Sequence, residues 1–229
     1  MKNDHTHIAV ILDRSGSMQS IRDDIIGGFN SFLEQQKAGP GRATLTLVQF
    51  DSQDPYEVIH KAKPIGEVPA LTAETYSPRS TTPLLDALGR GINDLEATLA
   101  QADDKTRPSR VVMVIITDGM ENASREFRKD QIEKMIKVKQ EDQDWQFVFL
   151  SADLGAIGEA GQLNIPERRS MAYDKSGLGV SMAMRSLSDN LVSYRALRTD
   201  DMSFSDSDRA RQKIERKREQ KETQTEEAK

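Results

Sequence analysis

The chain has 229 residues, of which 36% are hydrophobic, 30% charged and only 5% aromatic, with a formal net charge of −5. That length suits one large α/β-sized domain plus an appendage, and the acidic balance argues against broad binding to a nucleic-acid backbone, which needs clustered Lys and Arg. It contains no cysteine, which excludes thiolate catalysis, disulfides and zinc–thiolate sites.

In chain order, Ile8–Leu12 is a continuous apolar run, as expected of a strand covered on both faces. It is too short, and too soon followed by Asp13 and Arg14, for a signal peptide. No window approaches the roughly 20 apolar residues of a membrane span, so the expectation is a cytoplasmic protein without membrane contact. Helical spacing follows from Ile21 to Leu33, and Gly39-Pro40-Gly41 breaks it. Thr44–Phe50 alternates as a strand, and Tyr56–His60 returns antiparallel through a turn at Asp51–Pro55. Residues 61–82 read as irregular. Pro83 stands where a helix can begin, with Leu84, Leu88, Ile92, Leu95 and Leu99 on one face.

Val111–Ile116 is the strongest buried-strand signal. Ile132, Met135 and Ile136 mark a helix, Trp145–Leu150 a strand, and Gly155–Gly161 a short helix. Met171–Tyr173 reads as a last edge strand before an amphipathic helix over residues 177–197. Strands alternating with helices predict a doubly wound α/β fold, a mostly parallel sheet with helices on both faces. The expected division is a domain over residues 1–199 and a charged, helical or disordered tail over 200–229, because Arg209–Lys229 holds almost no apolar residue besides Ile214.

The chemistry sits at strand ends. Asp13-Arg14-Ser15-Gly16-Ser17 follows the first strand with three oxygen donors at alternate positions; Thr117-Asp118-Gly119 follows the Val111 strand; Ser80-Thr81-Thr82-Pro83 places hydroxyls at a helix start. Ligands of a doubly wound sheet bind outside the carboxyl ends of strands where the strand order reverses. If the first strand and the Val111 strand are neighbours there, Asp13, Ser15, Ser17 and Asp118 converge, and Thr82 joins from the adjoining loop. Such hard donors suit Mg²⁺, Mn²⁺ or Ca²⁺. Singly, each element also reads as a helix cap or a turn.

These elements, Asp13-x-Ser15-x-Ser17, Thr82-Pro83-Leu84 and Thr117-Asp118-Gly119, resemble the metal-ion-dependent adhesion site of von Willebrand factor A (VWA) domains, in matching order from Ile8 to Leu197. The resemblance is greatest to bacterial intracellular members from tellurite-resistance and other stress or defence clusters. It implies a non-enzymatic protein–protein interaction module with a divalent cation, Mg²⁺ first, held by Asp13, Ser15, Ser17, Thr82 and Asp118. One coordination position is then left for an Asp or Glu of a partner protein. It also implies that the last helix can shift when the site is filled. Met18, Tyr76, Glu121 and Asn122 are candidates for the partner-facing surface beside the cation, although Met18 also suits the core and Glu121 and Asn122 a helix start. Asp51 reads either as an acid near the cation or as a simple turn residue.

The enzymatic alternative is a magnesium-dependent phosphohydrolase of the haloacid dehalogenase type. That chemistry asks for a second carboxylate two residues after the first, where this chain has Ser15. A serine hydrolase is disfavoured because His5 and His7 lie at the opposite end of the first strand from the serines. Gly155, Gly158 and Gly161 do not have dinucleotide-loop spacing.

Overall fold

The computed structural model describes residues 4–103, 106–210 and 212. Six strands form one sheet: β1 Thr6–Asp13, β2 Ala43–Phe50, β3 Glu57–Pro64, β4 Arg110–Thr117, β5 Gln146–Ser151 and β6 Ser170–Ala172. Their spatial order is β3-β2-β1-β4-β5-β6, and every pairing is parallel except β2 with β3. The helices are α1 Arg22–Lys37, α2 Leu84–Gln101, α3 Lys129–Gln143, α4 Leu154–Gln162 and α5 Gly177–Arg195. None is long and apolar enough, among the described residues, to cross a membrane.

Alternation along β1 builds two cores. Ile8, Val10 and Leu12 face the layer that holds Phe29 and Phe32 of α1 and Val180 and Leu187 of α5. Ala9 and Ile11 face the layer that holds Leu88 and Ile92 of α2, Ile136 of α3 and Ala160 of α4. Both faces of the sheet are therefore dry, which is why β1, β4 and β5 read as unbroken apolar runs. The strand order reverses between β1 and β4, so the predicted neighbours are neighbours.

β3 runs to Pro64, four residues beyond the expected return strand, into a stretch that reads as irregular. Its ladder to β2 is broken by register shifts, and Ala62 takes a left-handed φ of 45° there. An edge strand with one exposed rim tolerates Lys61 and Lys63, which blur the apolar alternation in the sequence.

The core also draws on residues beyond Thr199. Met202 and Phe204 are buried in the α1–α5 layer. Phe204 N–H donates to Arg168 O at 2.8 Å, and Asp201 accepts from Arg168 and Arg169. Residues 206–210 are helical, Ser186 donates to Asp208, and the Gln212 amide reaches Gly179 O. The run of alternating charges that defines the expected tail falls mostly on residues 213–229, outside the described residues.

Candidate metal centre

At the carboxyl ends of β1 and β4 the chain turns sharply, and those turns carry the site. Asp13 ends β1 with its side chain fully buried. Its Oδ1 accepts from Ser15 N–H at 2.7 Å and its Oδ2 from the Thr117 hydroxyl at 2.5 Å. Ser15 Oγ lies 3.1 Å from Ser17 Oγ, and Ser17 Oγ donates to Asp118 Oδ1 at 2.6 Å. The Lys175 ammonium, from the loop between β6 and α5, donates to Asp118 Oδ2 at 2.9 Å. Four of the five predicted cation ligands thus form one continuous hydrogen-bonded array at the reversal point.

Thr82 is placed beside that array without being hydrogen-bonded to it. It is buried, and its backbone is clasped by Asn122: Thr82 N–H donates to Asn122 Oδ1 at 2.9 Å, and Asn122 N–H to Thr82 O at 3.1 Å. The loop that carries it is stitched to the β1 turn, with Gly16 N–H on Ser80 O and Arg79 N–H on Arg14 O. Gly16 eases this approach, since a Cβ there would lie 3.3 Å from Ser80 O, a tight contact that the loop would have to give way to.

Buried tyrosines brace the strand ends from below. Tyr76 Oη donates to Asp13 O at 2.7 Å, and Tyr173 Oη to Thr117 O at 3.0 Å. Each fixes the carbonyl of the residue at which its strand terminates. Alongside runs a charge cluster. Asp51, fully buried, accepts from Arg14 Nε and Arg79 Nε and from the N–H groups of Gln53 and Asp54. Arg14 also pairs with Glu57 and reaches Gln49. Burial alone would push the Asp51 carboxyl up, but the bonds from Arg79, Gln53, Asp54 and Arg14 outweigh it and hold the group below its ordinary value. Asp51 is therefore a turn former, and its charge is taken up by two arginines, Arg14 and Arg79.

Two of the four surface candidates lie inside the protein. Met18 and Tyr76 are both completely buried, Met18 in the α1–α5 core and Tyr76 under Asp13, so neither offers surface to a partner. The Glu121 carboxylate is consumed locally, accepting from Leu85, Ala123 and Ser124 N–H groups and from the Ser124 hydroxyl. Asn122 is exposed, but its carbonyl oxygen is the one that clasps Thr82. The Lys175 contact, the Thr117 hydroxyl bond and the bracing by Tyr76 and Tyr173 are not announced by local sequence. Thr117 stands in the quoted Thr-Asp-Gly element, whereas nothing local marks Lys175.

The donor set fits a hard divalent cation. Asp13 is pushed up to about 6, first by burial and then by the neighbouring Asp118 charge, against the lowering effect of hydrogen bonds from Thr117 and Ser15. Asp13 and Asp118 both end buried at this point of the fold, and burying a carboxylate costs less where a positive charge can reach it. Among the described residues no three His, Cys, Asp or Glu group together as a metal cluster. A cation here must therefore draw on the serine and threonine hydroxyls, an all-oxygen environment suited to Mg²⁺ or Mn²⁺.

No family model matches the chain, and no curated protein matches it by sequence. Solved structures do match it by shape. The pilus adhesin SpaC of Lactobacillus rhamnosus GG superposes with a TM-score of 0.62 over 84% of this chain and 30% of its own length, at 14% identity. Proximal thread matrix protein 1 of the mussel byssus, in a structure "with zinc occupied MIDAS motif", gives 0.54 over 82% and 46%, at 16% identity. A von Willebrand factor type A protein from Catenulispora acidiphila gives 0.52 over 82% and 43%, at 12% identity. The chain spans less than half the length of each. At these identities the likeness defines the fold, and that fold is the VWA fold.

Proposed function

We propose that this chain is a non-enzymatic, metal-dependent protein-interaction module. In this reading Asp13, Ser15, Ser17, Thr82 and Asp118 hold one divalent cation, Mg²⁺ by its match to hard oxygen donors, and a partner protein supplies an Asp or Glu to it. The observation that carries the reading is the Asp13–Ser15–Ser17–Asp118 array, four oxygen-donor side chains from two separate turns joined at the crevice of the sheet. Three of the five ligands are neutral hydroxyls, so the cation is not saturated with negative charge and a third carboxylate is accepted. The mussel protein's zinc-occupied motif on the same fold supports a cation at this position. The phosphohydrolase alternative gains no observation, since Ser15 stands where that chemistry needs its second carboxylate.

By the same reading the domain is cytoplasmic and related to the intracellular VWA proteins of bacterial stress clusters; a chain without cysteine is permitted in a reducing compartment and does not require one. The test is affinity capture with wild type and Asp13→Ala in parallel, with Mg²⁺ and with chelator. Partners lost under both perturbations are ligands of the site. A set of captured proteins indifferent to both overturns the proposal.

A further inference from the structure

Resting on the cation reading of the site, we propose that Lys175 is a built-in competitor for it, occupying Asp118 with an ammonium that a divalent cation must displace. Asp118 is one of only two carboxylates in the array, and both its oxygens are engaged: Oδ1 by Ser17 and Oδ2 by Lys175. The pair is asymmetric. The carboxylate is fully buried, whereas the lysine side chain remains 44% exposed. The ammonium therefore reaches a buried anion from the solvent side, and it can return to water by rotating its own flexible stem.

The surrounding backbone favours a side-chain exchange over movement of α5. Ser176 caps α5, accepting from Gly179 N–H, and a Cβ on Gly179 would lie 2.6 Å from Asp174 O, so the turn carrying Lys175 is tight. A Cβ on Gly177 would lie 2.7 Å from Asp24 Oδ1, which presses the start of α5 against α1. At the far end, buried Arg195 donates to Gln36 O and Gly41 O, and Arg110 donates to Tyr194 O while lying over its ring at 4.3 Å. Sliding α5 would break buried hydrogen bonds at its far end, whereas releasing Lys175 breaks a single contact at the solvent boundary. Lys175 thereby sets the affinity threshold of the site, answering to cations of higher charge density than its own.

The experiment is titration of Mg²⁺ and Mn²⁺ into the full chain by calorimetry, for wild type, Lys175→Met and Lys175→Arg. Lys175→Met keeps the stem and removes the charge, so its dissociation constant is expected to fall on the order of tenfold, while Lys175→Arg stays near wild type. A dissociation constant for Lys175→Met within about twofold of wild type, or a gain shared equally by Lys175→Arg, overturns the competition. A second measurement needs no variant: the Lys175 Nζ resonance in wild type is expected to move to the position of a solvent-exposed lysine as Mg²⁺ saturates. Retention of its metal-free position at saturation overturns the proposal. Absence of cation binding in every variant overturns it together with the reading it rests on, whereas equal binding in all three leaves that reading standing.

Discussion

Ser17 and Asp118 stand 101 positions apart in the chain, yet Ser17 Oγ donates to Asp118 Oδ1 at 2.6 Å. That bond joins the turn after β1 to the turn after β4, and it exists because these strands pair in parallel from Thr6–Arg110 to Leu12–Ile116. The cation reading makes a direct thermodynamic demand on it. A ligand that binds only the folded state stabilises that state by mass action, about 2.7 kcal/mol at a hundredfold excess over Kd. For a domain of this size, Mg²⁺ or Mn²⁺ should then raise Tm by roughly 5–10 °C. Calorimetric melting of wild type, Asp13→Ala and Asp118→Ala with and without cation checks this. The increment should vanish in both variants, and a shift that survives in both places the cation elsewhere.

Thr82 should separate binding from folding. Its backbone is held by Asn122, and its hydroxyl has no hydrogen bond to the other four candidates. Thr82→Ala should change stability by less than about 1 kcal/mol, while weakening cation-dependent partner capture. Combined with a neutral amide in place of the partner's acid, the loss should be no greater than that of either change alone, since both delete one interaction. Fully additive losses in that cycle exclude a shared cation.

Asp51 should matter more for stability than any residue of the array. It balances Arg14, whose side chain is 7% exposed, and Arg79, which is 44% exposed. Asp51→Ala leaves Arg14 buried with only the more exposed Glu57 as counter-charge, and should destabilise by about 3 kcal/mol. Urea unfolding measures this. A loss below 1 kcal/mol would show that Glu57 alone neutralises Arg14.

His7 should make the domain acid-sensitive. It is buried at the amino end of β1, and burial lowers it from 6.5 to about 4, with the His5 charge adding to the effect. Between those values the unfolded chain binds the extra proton, so the contribution is level above pH 6.5 and stability falls as pH drops towards 4. Asp13, raised from 3.8 to about 6, acts in the opposite sense over much the same range, since there the folded state holds the extra proton. Wild type alone should therefore show a muted slope. His7→Asn should gain stability relative to wild type between pH 6.5 and 4.5, seen in denaturant unfolding across that range. Parallel curves for the two proteins would contradict the assignment.

The boundary of the folded unit can be located by truncation. A chain ending at Gln212 retains Met202, Phe204 and the Gln212–Gly179 contact, and should melt near wild type. A chain ending at Thr199 loses two core side chains, each worth about 2–5 kcal/mol, and should melt far lower or fail to fold. Equal melting of the two would move the boundary back to Thr199.

Local residue order carries the layer structure and the oxygen donors at the strand ends. Two dry sheet faces force unbroken apolar runs at Ile8–Leu12 and Val111–Ile116, and small oxygen donors follow both runs directly, so strand ends and candidate ligands are legible from local order alone. Long-range contacts follow from strand placement, which no local pattern carries. Lys175 reaches Asp118 over 57 positions and Tyr76 reaches Asp13 O over 63, and both contacts depend on which strand lies beside which. Met18 shows the same limit at short range. Its place in a polar turn leaves surface and core both open, and the 3₁₀ turn at Gly16–Ile21 puts it in the core. Periodicity reports how a segment divides between water and protein; the partners it meets there follow from the strand order.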